Sequence, residues 1–521
     1  MKTRSLYPKW LPFLLAGALL TFSCSSSRKG LPVKQDDLIE FAILQINDVY
    51  EIAPLEGGKV GGMARVATLR KELEAQNENV FVVLAGDFLN PSLIGSLKYE
   101  GERIKGRQMV ELMNAVGVDL VTFGNHEFDI KEAALQKRLN ESDFAWLGTS
   151  VRHRVNGKSE KFYKEKNGKK TDVEDTYTWS IQDADGTRAN IGFFGTTIAS
   201  NPVDYVEYLD YTVQSEVAIK ALSGKSHLIL GVTHLEAEQD RALARTLEDI
   251  PLFMGGHDHD NMFLTEGKTK IAKADANAKS AYVHRGILNV ETGKVTLESE
   301  LITLDEKVAL DRETSDLVAK WIAIQDQNIQ KVVDDPYEIV YTATEPLNGL
   351  EKYIRNEPTN MCTLIAKAMR ASFGTERIDL VLFNSGSVRI DDQLKGDVLA
   401  IDWFRALPFG GNLVKVELEG ALLTKLLETG KDNKGTGGYL QFDQSVQRVS
   451  PEHWAFGGNP IKPQQTYVIA TTGFLLSGLE TGMDFFTPDN PQIKAIEAYE
   501  DKADVRSDIR KAVIRYVKSL K

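Results

Sequence analysis

Gly124-Asn125-His126-Glu127-Phe128-Asp129 and Gly255-Gly256-His257-Asp258-His259 are the two stretches from which the fold is read. Each follows a short apolar run, Val118–Phe123 and Leu252–Met254, and each gathers glycine, imidazole and acid within a few residues. Outward from them the arrangement repeats. Leu38–Ile46 leads into Asn47-Asp48-Val49-Tyr50, Val80–Leu84 into Gly86-Asp87, and His227–Val232 into Thr233-His234. With Ile191–Gly195, these runs read as buried strands, and Met63–Leu73 and Arg107–Val116 between them carry helical spacing. Such alternation predicts an α/β layered domain. In an α/β sheet the strand ends converge on one edge, so five remote segments are expected to bring carboxylates, an amide and imidazoles into one cleft.

Taken singly, an aspartate after a strand is ordinarily a turn former or helix cap, and a buried histidine is ordinarily only hydrogen-bonded. The conjunction is what points to chemistry: His126, His234, His257 and His259, four of the eight histidines, fall in these segments. Oxygen and imidazole ligands without thiolate suit Zn, Mn, Fe or similar divalent ions. The set fits two ions about 3.5–4 Å apart, bridged by one carboxylate, for which Asp87 is the natural choice.

The Gly124–Asp129 and Gly256–His259 strings resemble those of the calcineurin-like metallophosphoesterases, and more closely their 5′-nucleotidase branch, in order and spacing across residues 38–305. The resemblance implies a four-layer α/β/β/α sandwich. It also implies metal ligation by Asp48, Asp87, Asn125, His234, His257 and His259, with His126 and Asp129 as the catalytic pair. Where the family usually carries Asp-x-His, this chain has Asp48-Val49-Tyr50. The first ion thereby loses an imidazole, and Tyr50 is expected as a weak ligand, a water-bridged one or a spectator.

Residues 306–338 read as a connecting helix, with Leu317, Val318, Trp321 and Ile322 at helical spacing. Residues 339–521 form a second α/β unit, with a helix expected over Met361–Ser372 and strands over Ile378–Phe383, Leu413–Leu418 and Tyr467–Thr472. This unit resembles the nucleotide-binding C-terminal domain of 5′-nucleotidases. The resemblance rests on Asn384-Ser385-Gly386-Ser387-Val388-Arg389, Leu407-Pro408-Phe409-Gly410-Gly411, Gly473-Phe474 and Gly482-Met483-Asp484-Phe485. It implies substrate binding by Arg355, Asn384, Arg389, Phe409, Phe474 and Asp484, with Phe485 as an alternative base-stacking ring.

At the N-terminus, Lys2, Arg4 and Lys9 precede the apolar stretch Trp10–Phe22 and then Ser23-Cys24. This is the pattern of a secretory signal, too short to span a bilayer, ending in a loose bacterial lipobox. Residues 1–24 are therefore expected to be a lipoprotein signal peptide with Cys24 lipidated, and 25–37 a polar tether. Only Cys362 then accompanies Cys24, which excludes an intramolecular disulfide in the fold. The chain has 521 residues and a net charge of -12, which argues against nucleic acid as a partner. No protein partner is inferable. The expected activity is extracytoplasmic hydrolysis of nucleoside 5′-monophosphates on a bacterial membrane. The alternatives are a 2′,3′-cyclic nucleotide phosphodiesterase, a UDP-sugar hydrolase, or a surface lipoprotein that binds without catalysis.

Overall fold

The computed structural model describes residues 36–200 and 202–520; the signal segment, Cys24 and the tether up to residue 35 lie outside the described residues. Two six-stranded sheets build the N-terminal domain. The first runs, in spatial order, Val295–Thr303, Ser280–Asn289, Leu38–Ile46, Val80–Leu84, Leu120–Thr122, Ala145–Leu147. The second runs Thr176–Gln182, Arg188–Thr197, Leu228–His234, Leu252–Gly255, Thr269–Lys273, Met262–Glu266. The central strands of both are parallel. They read as continuous apolar runs because both their faces are covered. Between the sheets lie Phe41, Ile43, Phe81, Val83, Leu120, Ile191, Phe193, Leu230, Val232 and Met254. The Phe81 ring stacks on Trp179 at 4.6 Å and on Phe193 at 5.2 Å. Helices Met63–Glu74, Arg107–Val116 and Glu132–Glu141 cover the first sheet, and Tyr211–Leu222 and Ala237–Thr246 the second. The result is the expected α/β/β/α sandwich.

The strand expected over Val118–Phe123 is shorter, Leu120–Thr122. Gly117, at φ 76°, closes the preceding helix in the left-handed conformation, and Asp119 turns its carboxylate to accept the Val82 N–H at 2.8 Å. The connecting helix is also shorter than 306–338. It spans Arg312–Ile329 and starts where Asp311 caps the Thr314 N–H. It is a strut: Trp321 is buried against the first domain and donates its indole N–H to Glu111 at 3.0 Å, while Ile329 enters the core of the second.

The C-terminal domain has a five-stranded sheet in the order Leu440–Phe442, Leu380–Asn384, Thr466–Thr472, Leu413–Glu419, Ile493–Ala498. Asn360–Ala371, Ala400–Ala406 and Ile509–Lys518 pack on one face and Gly420–Asp432 on the other. No helix of the described residues is long and apolar enough to cross a membrane.

Candidate metal centre

The C-terminal ends of five parallel strands deliver Asp48, Asp87, Asn125, His234 and the His257–His259 loop to one edge of the sandwich. Four of these residues stand in the left-handed region, Asp48 at φ 51°, Asp87 at 57°, His257 at 83° and His259 at 62°. Non-glycine residues are uncommon there, and four of them gathered at one edge point to a functional constraint. Gly124 is required by close approach: a Cβ there would lie 2.1 Å from Asp87 Oδ1. Beneath the ligands, buried Glu127 accepts N–H bonds from Gly124 at 2.7 Å, Asp87 at 2.9 Å, Phe88 at 2.8 Å and Leu89 at 3.1 Å. One carboxylate thus ties the Asp87 loop to the Asn125 loop. Burial and the Asp87 charge push its carboxyl up to about 7, against these bonds. Its place inside the Gly124–Asp129 string was visible; its role depends on a loop remote in sequence.

The ligand atoms are aimed and unspent. Asp48 Oδ2 accepts from Asn47 Nδ2 at 2.8 Å and from the His257 N–H at 2.9 Å, while its buried Oδ1 has no hydrogen-bond partner. His234 Nδ1 donates to the Ala85 carbonyl at 2.7 Å, which leaves Nε2 as the nitrogen that faces Asp87 Oδ2 at 3.1 Å. Neither His234 Nε2 nor Asn125 Oδ1 has a hydrogen-bond partner. Two buried oxygens without a hydrogen-bond partner, packed with a buried imidazole around a buried carboxylate, would be costly in a purely structural site. They suit the donor set of a divalent metal centre, and Asp87, His234 and His257 offer candidate ligand atoms all within 4.8 Å of one another. Burial, with the neighbouring His234, lowers His257 to about 4 and keeps it a neutral ligand. His234 goes the other way, to about 9, because the Asp87 charge outweighs burial, so an ion binding at Nε2 would displace a proton from it.

His126 sits on the rim, its N–H donating to Asp87 Oδ1 at 2.8 Å and its Nδ1 lying 2.7 Å from Asp129 Oδ2. Burial opposes the charged ring, but Asp129 and Asp87 raise it to about 9. Asp129 Oδ2 also accepts from Asn90 Nδ2 at 2.9 Å. Tyr50 lies between the carboxylates and His259: its hydroxyl donates to Asp87 Oδ2 at 3.1 Å and is 3.1 Å from His259 Nε2. Burial and the surrounding carboxylates hold the phenol protonated well above its ordinary range.

The His257–His259 loop rests on a buried cation that the sequence did not advertise. Lys273 pairs with Asp240 at 2.7 Å and with Asp258, and donates to the carbonyls of Leu235 at 2.6 Å and Gly256 at 2.9 Å.

Comparison with known proteins agrees with this geometry. Residues 41–261 match the calcineurin-like phosphoesterase family, and residues 339–487 match the 5′-nucleotidase C-terminal domain. The chain belongs to the 5′-nucleotidase family. It is a metal-dependent phosphoester hydrolase. It is 26% identical over 447 residues to a snake venom 5′-nucleotidase of Gloydius brevicauda, covering 76% of this chain and 71% of that one. It is 25% identical over 500 residues to a 5′-nucleotidase of Vibrio cholerae, covering 85% and 86%. The fold superposes on a 5′-nucleotidase precursor of Thermus thermophilus with a TM-score of 0.66 at 19% identity, over 93% of this chain and 97% of that one.

Against this family background the second-domain candidates divide. Arg389 reaches the centre, its NH2 donating to Asp129 Oδ2 at 2.7 Å. Arg355 is 3% exposed and paired with Glu351 at 2.9 Å; the Glu351 carboxylate is held low against its burial by Arg355 and Arg389 together. Phe409 and Phe474 are exposed rings, 53% and 49%. Their loops lie side by side, the Gly473 N–H donating to the Asn412 carbonyl at 3.0 Å. Asn384 donates to Glu480 at 2.7 Å, and Asp484 is exposed to solvent. Phe485 is not an alternative stacking ring: it packs on the domain core with Lys425 Nζ 3.9 Å over its face.

Proposed function

We propose that the protein hydrolyses nucleoside 5′-monophosphates to nucleosides and phosphate outside the cytoplasm, tethered through a lipid on Cys24. The observation that carries the reaction is the set of buried polar atoms without a hydrogen-bond partner, Asp48 Oδ1, Asn125 Oδ1 and His234 Nε2, around Asp87. Asp48, Asp87 and His259 would hold a first ion, with Tyr50 beside it; Asp87, Asn125, His234 and His257 would hold a second. When bound, the ions supply charge neutralisation for the phosphoryl group and an acidified water.

The protein's own groups do the rest. His126, its Nδ1 proton fixed on Asp129, manages a proton at Nε2 for the leaving 5′-oxygen. Arg389 suits phosphate through its planar fork. Phe409 and Phe474 offer flat faces for the base, and exposed Asp484 can join the grip on the nucleotide, whereas Arg355 and Asn384 are buried and act through Glu351 and Glu480. The crevice lined by Tyr50, Glu51, Arg389, Asp392, Arg405 and Pro408 measures about 30 Å³, a tenth or less of an ordinary ligand site of about 300–1,000 Å³. Substrate therefore enters by parting of the domains. The venom relative, secreted by its name, supports the extracytoplasmic setting.

The test is phosphate release from AMP, UMP, UDP-glucose, 2′,3′-cyclic AMP and an aryl phosphate, before and after chelation and with Mn²⁺ or Zn²⁺ restored. Metal-dependent release favouring a monophosphate supports the proposal. Preference for the cyclic or diphospho substrate reassigns it within the family, and silence with every substrate refutes it.

A further inference from the structure

Residues 389–392 leave the C-terminal domain and run along the rim of the metal centre, and three of their side chains cross the boundary. Arg389 donates to Asp129 at 2.7 Å, Asp391 Oδ2 meets His259 Nδ1, and Asp392 accepts from Lys279 Nζ at 2.8 Å. Asp391 is held for this contact. Its Oδ1 accepts the Glu351 N–H at 2.5 Å, and its backbone stands at φ 40°. The opposite nitrogen of the same imidazole, His259 Nε2, faces Tyr50 Oη at 3.1 Å and Asp48 Oδ1 at 3.5 Å, the side on which the acidic ligands lie.

An imidazole that binds an ion through one nitrogen is set in tautomer and direction by the acceptor on the other, and loss of that acceptor typically weakens metal binding about 10- to 100-fold. Here the acceptor comes from the other domain. The dependence is sharpened by Tyr50, which leaves His259 as the imidazole of the first ion.

We propose that Asp391 is a positioning residue for the first metal: by taking the Nδ1 proton of His259 across the domain boundary it presents Nε2 to the ion. Tight retention of that ion then requires the C-terminal domain to be docked. The proposal rests on the two-ion function given above. Exchange of the first ion is fastest whenever the domains part, and the second ion, whose His234 is oriented by the Ala85 carbonyl of the same domain, is indifferent.

The test is calorimetric titration of the chelator-stripped full chain with Mn²⁺, with bound metal counted by elemental analysis and folding checked by circular dichroism. Wild type takes up two equivalents. In Asp391→Ala one equivalent weakens about 10- to 100-fold and the other is unchanged. Asp391→Asn, whose amide oxygen still accepts the Nδ1 proton, recovers most of the loss. Lys279→Ala, which breaks the adjacent bridge only, keeps both affinities. Wild-type affinities in Asp391→Ala, or an equal loss in Lys279→Ala, overturn the assignment. A wild-type chain that takes up fewer than two equivalents instead refutes the two-ion function, whatever Asp391 does.

Discussion

Arg389 and His126 share one oxygen: Oδ2 of Asp129 receives the guanidinium of the C-terminal domain at 2.7 Å and the imidazole Nδ1 of the N-terminal domain at 2.7 Å. The pair proposed to handle the proton and the arginine proposed for the phosphate are thus one electrostatic unit when the domains are together. Asp129→Asn keeps the shape and removes the charge that holds both. A fall in kcat of about 10²–10⁴-fold is expected with metal content unchanged, measured by steady-state kinetics alongside elemental analysis. Intact turnover would refute the role given to the pair.

Phe409 projects, 53% exposed, beside the loop of Phe474. Phe409→Ala should remove about 1–3 kcal/mol of base stacking, raising KM for a nucleoside monophosphate by about 5- to 150-fold. Hydrolysis of an aryl phosphate, which has no base, should hardly change. Equal effects on both substrates would show the ring to be structural.

Tyr50 stands where an imidazole would complete the first metal's ligands. Tyr50→His is expected to slow the loss of one metal equivalent during dialysis against chelator by at least tenfold, since a neutral imidazole replaces a phenol that stays protonated. Unchanged retention would make the phenol a spectator.

Lys273 is 1% exposed between Asp240 and Asp258. Lys273→Met leaves the buried Asp240 carboxylate uncompensated, a loss of about 3–5 kcal/mol visible as a lowered thermal unfolding midpoint. Lys273→Met with Asp240→Leu should recover part of that loss. A single variant that melts like wild type would show the network to be dispensable.

His284 gives a pH dependence remote from the metals. Gln45 donates both amide hydrogens to carbonyls, so its Oε1 faces His284 Nε2 at 2.8 Å as an acceptor, and Ser299 sits 2.7 Å from Nδ1. The ring is neutral, and burial lowers it from its ordinary 6.5 to about 3. A depressed histidine lets the unfolded chain bind the proton first, so stability is intact above pH 6.5 and falls by about 1.4 kcal/mol per pH unit below it until pH 3. His284→Gln should flatten the acid limb of a urea-unfolding series; an unchanged slope would place the acid sensitivity elsewhere.

Most of the scaffold was legible because its signals are local. Leu38–Ile46 and Val80–Leu84 are apolar runs bounded by turn formers, and the structure keeps both ranges. The convergence of the candidate ligands on one edge was legible because each follows such a run. What escaped is tertiary. Lys273 ends a short strand with nothing to mark its partner as Asp240 on a distant helix. Asp391 belongs to an acidic pair after Arg389 that reads as a solvated turn, and its contact with His259 exists only once two domains meet. The extent of the connecting helix was overdrawn for a related reason: the helix stops at Ile329, and Val332 and Val333 pack on the second core from a turn rather than from a further helical turn.

Asp48, Asp87, His257 and His259 each hold a backbone conformation that glycine adopts freely. Each costs the folded chain something on the order of 1 kcal/mol. Over evolutionary time such positions are under two opposed pressures. Drift rewards glycine at any of them with a relaxed backbone, and chemistry forbids it by deleting a ligand. A descendant that abandons hydrolysis should therefore show its retirement first as glycine at these four places, before its core or its sheet order records any change.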